Sequence, residues 1–234
     1  MLLTIGVLLT TACGGSGDAS APTPSPTPVP TAAAVLARAS ARLAATETVR
    51  FTLNVEGTTY VDGGDTIQLL EAEGDLVRPD RVSTTFKVKV LAPTVTIRLI
   101  TIGDQSWTTN LITGRWGEAD PEFSYSPGVL FDTQDGIGPV MGRVEAPTLL
   151  PNEEINGRSA YHIAATAAQE TIGPITADTM AGSPVAVDLW VDVATDDLLR
   201  ARLTEPASVG NDDPATWVLD LTDHGAKVEI EPPV

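Results

Sequence analysis

RVSTTFKVKVLAPTVTIRLITIGDQSWTTN, residues 81–110, alternates apolar and polar side chains with a period of two. Val82, Thr84, Phe86, Val88 and Val90 fall on one face, with Lys87 and Lys89 opposite. After Ala92-Pro93, Val95, Ile97 and Leu99 stand against Thr94, Thr96 and Arg98. A strand sends successive side chains to opposite faces, so each run reads as a strand with one buried face. Gly103-Asp104 marks the next turn. Strands at this rhythm, with no helix between them, predict an antiparallel meander.

The pattern extends upstream. In VRFTLNVEG, residues 49–57, Val49, Phe51, Leu53 and Val55 alternate with Arg50, Thr52, Asn54 and Glu56. TIQLLEAEGDLV follows at 66–77, with turns at Asp62-Gly63-Gly64 and Arg78-Pro79-Asp80. Before the first strand, TAAAVLARASARLAATET (31–48) reads as a helix of about 14–16 residues capped by Thr31. Val35, Leu36, Ala39 and Leu43 form its apolar stripe, which predicts packing on the sheet.

Downstream the alternation stops. DPEFSYSPGVLFDTQDGIGPVMGRVEAPTLL (120–150) holds a helix start at Ser126-Pro127 and two apolar turns. Val129, Leu130 and Phe131 form the first; Ile137, Val140 and Met141 follow Asp135 in the second. Short helices inserted in a β protein are expected. Strands resume in EEINGRSAYHIAAT (153–166) and in the hairpin PVAVDLWVDVATDDLLRARLTEP (184–206), which turns at Thr195-Asp196-Asp197. TWVLDLTDHGAKVEIEPP (216–233) is expected to end the sheet. No repeat period marks a solenoid or propeller.

The N-terminus carries a different signal. Residues 2–12, LLTIGVLLTTA, are uncharged, too short for the ~20 residues of a spanning helix and suited to the h-region of a signal peptide. Cys13, the sole cysteine, follows Ala12. Alone, it is open to three readings: a reactive thiol, an intermolecular disulfide partner or an attachment point. LTTAC (9–13) resembles a bacterial lipobox, although Thr10 stands three before the cysteine, where Leu is commonest. That resemblance implies cleavage before Cys13 and a diacylglycerol thioether on its sulfur. The n-region cations are missing, so the true start is expected upstream of Met1. GGSGDASAPTPSPTPVPT (14–31) is a flexible, then extended tether that would hold a domain about 40–50 Å from the anchor. The organisation expected is a signal peptide over 1–12, a lipidated Cys13 and tether over 13–31, and one β domain over 32–234.

Composition excludes several classes. The net charge of −17, with 31 acidic against 14 basic residues, disfavours nucleic acid and predicts repulsion from anionic lipid headgroups. One cysteine and two distant histidines, His162 and His224, offer no disulfide framework and no metal site. No G-x-S-x-G, Walker loop or H-E-x-x-H is present. Glu153-Glu154, Asp196-Asp197 and Asp212-Asp213 read as solvated turns rather than a glycosidase pair. Asp132, Asp135 and Gly136 lack the rest of a calcium loop. His162 reads as a satisfied strand histidine rather than a base, and Trp107, Trp116, Trp190 and Trp217 as sheet anchors, one at a cavity mouth being able to touch a headgroup. No catalysis and no cofactor are expected.

Taken in order, the lipobox, the helix, the meander, the helical insertion, EINGRSAYHI (154–163), VDLWVDVATDDLLRARL (187–203) and KVEIEPP (227–233) resemble the LppX/LprAFG-type lipoproteins, best known from mycobacteria. That family is similar in fold to the LolA/LolB carriers. The resemblance implies a mainly β (α+β) fold: a strongly curved antiparallel half-barrel, with an N-terminal helix and short helices covering its concave face. It implies binding or movement of acylated lipids or glycolipids on the extracytoplasmic, periplasmic side of the cell membrane. A lipid exporter is a candidate partner, and the chain is expected to be a monomer.

The residues agree with that reading. A curved sheet lined by Val, Thr, Ile and Ala leaves room for acyl chains, and this chain has only four Phe, four Trp and three Tyr to fill it. Candidate cavity residues are Phe51, Leu53, Val55, Phe86, Val88, Ile97 and Leu99 from the strands. Leu130, Phe131, Ile137, Val140 and Met141 join them from an insertion that reads as a lid, with Gly128, Gly136, Gly138 and Gly142 allowing movement. The competing class is a structural or sensory lipoprotein with a packed core and no lipid ligand.

Overall fold

A computed structural model describes residues 29–61, 65–119, 127–180, 182–207 and 213–234. Cys13, the apolar run, nearly all of the tether and the Asp62-Gly63-Gly64 turn lie outside the described residues. Within them, eleven strands form one antiparallel sheet in the order β6-β5-β4-β3-β2-β1-β11-β10-β9-β8-β7. The first meander comprises β1 (Thr48–Glu56), β2 (Ile67–Val77), β3 (Arg81–Val90), β4 (Thr94–Ile102), β5 (Gln105–Thr109) and β6 (Trp116–Glu118). The second comprises β7 (Glu145–Ile155), β8 (Arg158–Ala167), β9 (Val185–Asp192), β10 (Leu198–Thr204) and β11 (Thr216–Thr222).

The chain starts at the middle of the sheet with β1, runs out to the β6 edge, crosses to the opposite edge at β7 and returns to the middle, where β11 pairs with β1. The crossing segment carries a 3-10 turn, Pro127–Phe131, and helix α2, Ile137–Arg143. A connection between the two edges of a curled sheet has to pass over its face. That is why helices stand where the alternation stops.

Helix α1, Ala32–Ala44, begins where the sequence predicts: the Thr31 hydroxyl accepts the Ala34 N–H at 3.2 Å. Its buried side chains are Val35, Leu36, Ala39 and Leu43, together with Ala32. At its C-terminus the Arg78 guanidinium donates to the carbonyls of Leu43 and Thr46, and also to that of Phe131. One side chain on the β2–β3 turn thus ties α1 to the crossing segment. α1 and α2 meet closely through small residues, the Ser40 hydroxyl donating to the Gly138 carbonyl at 2.9 Å.

Three elements depart from the sequence reading. β7 begins at Glu145, inside the stretch read as irregular. Two bulges, between Glu145 and Thr148 and between Leu150 and Glu153, break its period, and Pro147 and Pro151 suit it to an edge. A third helix, α3 (Gln169–Thr176), was not expected between β8 and β9. It has no side-chain N-cap, contains Pro174, and ends on Ala177 at φ 51° rather than on a glycine, so Glu170 in its first turn is its one helix signal. Finally, β11 ends at Thr222, and the KVEIEPP segment forms no strand. It is held by the buried Ile230, whose carbonyl accepts from Arg81 at 2.9 Å.

Register explains how the inner face stays apolar. A bulge between Leu69 and Glu71 reverses the parity of β2, so Ile67 and Leu69 face the same side as Ala72 and Leu76. Opposite Phe51 stands Gly74; a Cβ there would lie 2.1 Å from the Ser83 carbonyl oxygen and 3.0 Å from the Phe51 ring. The aromatic ring occupies the space that the glycine leaves.

Candidate functional site

One row of side chains crosses nine strands without a polar break. Cross-strand pairing runs Ile97–Phe86–Ala72–Leu53–Leu219–Ala201–Leu189–Ile163–Leu149, from β4 through β1 and β11 to β7. Alternation places each of these on the inner face, and antiparallel pairing aligns them. α1, α2 and α3 bury their apolar stripes in the same core. They cover the concavity without filling it. What remains is a cavity of about 1220 Å³, walled by β1–β6, β9–β11, α2 and α3. Because residues from both meanders face this one space, the sheet curls around it, and β6 and β7, each paired on one side only, are its open edges.

Of the strand residues read as cavity candidates, Phe51, Leu53, Phe86, Val88, Ile97 and Leu99 stand on the wall, as do Leu130, Ile137, Val140 and Met141 from the crossing segment. Val55 packs on the core beside the wall. Phe131 turns away from the cavity, where Arg78 lies over its ring at 4.6 Å. The sequence reading missed the other half of the wall: Val187, Leu189, Ala201, Leu203, Trp217 and Leu219. Val187 and Leu189 alternate with Ala186, Asp188 and Trp190 along β9, but only the β1–β11 pairing sets this half of the wall beside Leu53.

The wall is apolar and the rim is polar. At one end, the loops after β1, β5 and α3 bring Thr58, Thr59, Tyr60, Asn110, Thr113, Arg115, Asp178 and Thr179 to the opening. Trp217 shows how its polar edge is handled: the indole N–H donates to the buried Thr59 hydroxyl at 3.1 Å while the ring faces the cavity. Trp116 also lines the space, with the Arg98 guanidinium 5.1 Å from its ring centre. On the inner face Thr84 carries a buried hydroxyl without a hydrogen-bond partner.

The ionisable groups lie elsewhere. Asp196-Asp197 has the sequence of a solvated turn, yet Asp197 is only 5% exposed. It binds Arg42 at 2.7 Å and Arg158 at 2.9 Å, and Arg38 pairs with Asp196 at 3.0 Å. Burial by itself would raise the Asp197 carboxyl; hydrogen bonds from Arg42, Thr195 and Arg158 outweigh it and hold the group at about 2. This network fastens α1 to the β9–β10 turn, at the end of the sheet away from the mouth.

On the convex face His162 stacks on Trp190 at 4.5 Å and meets Asp188 at 2.8 Å and Glu153 at 3.1 Å. These carboxylates come from neighbouring strands, which sequence spacing does not reveal, and the cluster lies across the sheet from the cavity. Asp132 accepts the N–H groups of Gln134 and Asp135, so it caps its own turn. Those same backbone bonds lower its pKa. Among the described residues, no cluster of three or more His, Cys, Asp or Glu side chains could hold a metal ion. No described helix is long and apolar enough to cross a membrane.

The family model for the LppX_LprAFG lipoprotein matches residues 31–230. Among solved structures, LprF from Mycobacterium bovis superposes with a TM-score of 0.69 at 20% identity, over 86% of this chain and 96% of that one. The Mycobacterium tuberculosis lipoprotein LppX gives 0.62 at 13% identity, over 86% of this chain and 98% of that one. At these identities the likeness is one of fold. No curated protein sequence matches the chain.

Proposed function

The chain belongs to the LppX_LprAFG lipoprotein family, and on that premise we propose that it binds acylated lipids or glycolipids in its cavity and transfers them without making or breaking a bond. The observation that carries this reading is the unbroken apolar row beneath a space of about 1220 Å³. Small-ligand pockets span about 300–1,000 Å³ and place several polar groups around the ligand. Here the row across the floor is wholly apolar, and the charged groups stand toward the rim.

Magnitudes favour a lipid. Each buried methylene contributes about 0.8 kcal/mol against water, so a sixteen-carbon chain contributes on the order of 13 kcal/mol before ordering costs. Against a bilayer the same methylene gains almost nothing, because it leaves one apolar phase for another. Such a cavity retains lipid in water and still exchanges it with a membrane. Unlike a packed structural core, it keeps room for the ligand.

The N-terminal features fit the same function. Cys13, following a signal peptide over 1–12, would carry the lipid anchor, and the Pro-rich tether over 13–31 would let the domain over 32–234 reach ligand while fixed to the extracytoplasmic face of the cell membrane. A monomer meets these needs, and an exporter would be the partner that delivers or accepts lipid.

The test is direct. The full chain carrying Cys13→Ser is purified, extracted with organic solvent and examined by lipid mass spectrometry. Near-stoichiometric acylated lipid is expected. A clean protein that also rejects added glycolipid and triacylglycerol would sink the proposal.

A further inference from the structure

Exposed apolar side chains gather at one place on this molecule. Ile112 is 94% exposed and Leu91 78%, and Leu111, Val61 and Tyr60 are also open to solvent. Besides these five, the large exposed apolar residues among those described are Val29 ahead of α1, the C-terminal Val234 and the isolated Leu150 and Val193. Tyr60, Val61, Leu111 and Ile112 all stand at the cavity mouth. Leu91 joins them because its N–H bonds the Thr66 carbonyl, next to the pairing of Val61 with Ile67. Three turns thus form a single apolar lip: the β1–β2 loop, the β3–β4 turn and the β5–β6 turn.

The lip is built rather than loose. Asn110 accepts the N–H groups of Ile112 and Thr113 through its side chain at 3.0 and 2.9 Å, and its backbone pairs with Arg115 and Gly114. Ile112 is therefore presented outward by a closed Asx turn. Leu91 has φ 58°, a left-handed conformation costly for a branched side chain and common for glycine or asparagine. A bulky leucine in that position, in solvent, gains nothing from the fold.

Charge identifies the occupant. The chain carries −17, yet three cations, Lys89, Arg98 and Arg115, stand on β3, β4 and the β5–β6 turn beside the lip. Lys89 stands two residues from Leu91, Arg115 three from Ile112, and Arg98 lies over Trp116. The acidic residues beside these turns are Glu56, Asp65, Glu118 and Asp213, whose carboxylate accepts from the Thr58 hydroxyl; Asp178 and Glu205 stand on the other side of the mouth. Apolar tips flanked by cations and by Tyr and Trp rings suit the headgroup region of an anionic bilayer.

We propose that this lip docks the open end of the sheet onto an anionic phospholipid bilayer, with Ile112, Leu111 and Leu91 inserted among the headgroups and Lys89, Arg98 and Arg115 against the phosphates. Acyl chains then pass between membrane and cavity without crossing water. The contact relies on the three cations beside the apolar tips rather than on the net charge of −17. The docking goes beyond lipid binding and stands apart from it: cavity content is read by mass spectrometry, and docking by a surface probe.

Cys13→Ser leaves a chain without cysteine, so single labels can be placed. Ile112→Cys and, at the opposite end, Val193→Cys each receive an environment-sensitive fluorophore in the full chain. Vesicles of phosphatidylglycerol and phosphatidylcholine are compared with vesicles of phosphatidylcholine alone. The label at position 112 is expected to brighten and shift to the blue on the anionic vesicles, and the label at 193 to stay unchanged. Lys89→Gln with Arg115→Gln should weaken vesicle affinity by about fivefold per cation removed. No change at 112, an equal change at 193, or an equal response to phosphatidylcholine alone would each overturn the docking.

Discussion

Replacing Ala201 with tryptophan plugs the cavity from its floor. Ala201 sits mid-row between Leu219 and Leu189, faces the open space and is only half buried although it points inward. An indole there occupies volume that a ligand chain would fill. A large aromatic covers about 150–250 Å². Excluding about 150–200 Å² of acyl surface at about 25 cal/mol per Å² removes about 4–5 kcal/mol of ligand binding, on the order of a thousandfold in affinity. Protein stability should hold or rise, because an apolar side chain then fills apolar space. The assay is lipid mass spectrometry on purified Ala201→Trp, alongside thermal unfolding. Ala186→Trp, exposed on the convex face of β9, is the matched control and should keep its lipid. If Ala201→Trp unfolds like the parent and carries the same lipid load, the chains do not occupy this space and the reasoning fails.

Three further outcomes are expected. Thr84→Val removes the unpaired buried hydroxyl and should stabilise the delipidated protein by about 1 kcal/mol in denaturant unfolding; a loss of stability would show that the hydroxyl is satisfied. Asp197, held at about 2 when folded against 3.8 otherwise, contributes about 2 kcal/mol above pH 4 that is lost as pH falls toward 2. Asp197→Asn should lower stability at neutral pH by a similar amount and flatten that acid limb; an unchanged limb would place the titration elsewhere. Radiolabelled palmitate should enter the wild-type chain in its host but not Cys13→Ser, and equal labelling of both would remove the anchor.

Legibility differed from strand to strand. The inner faces of β1, β3 and β4 were plain because Val49, Phe51, Leu53, Phe86, Val88, Ile97 and Leu99 keep strict period two. β2 and β7 were obscured by bulges, since one extra residue reverses which side faces inward. α3 lacked a side-chain cap at its start and a glycine at its end. Asp197 looked solvated because a turn sequence does not reveal that Arg42 and Arg158, from an early helix and a distant strand, converge on it.

By itself the sequence determined the meander, the N-terminal helix with its Thr31 cap, the helical crossing and the apolar identity of one face. These follow from periodicity and capping, which act over a few residues. Only the tertiary structure decided that β11 returns to β1 and brings Leu219, Ala201 and Leu189 into line with Leu53. Only it decided that the helices leave a space of about 1220 Å³ and that Ile112 and Leu91 share a lip at its mouth. A strand's pattern says that a side chain faces inward. Whether that interior is filled or empty depends on the volumes of residues far apart in the chain, and no local pattern records that sum.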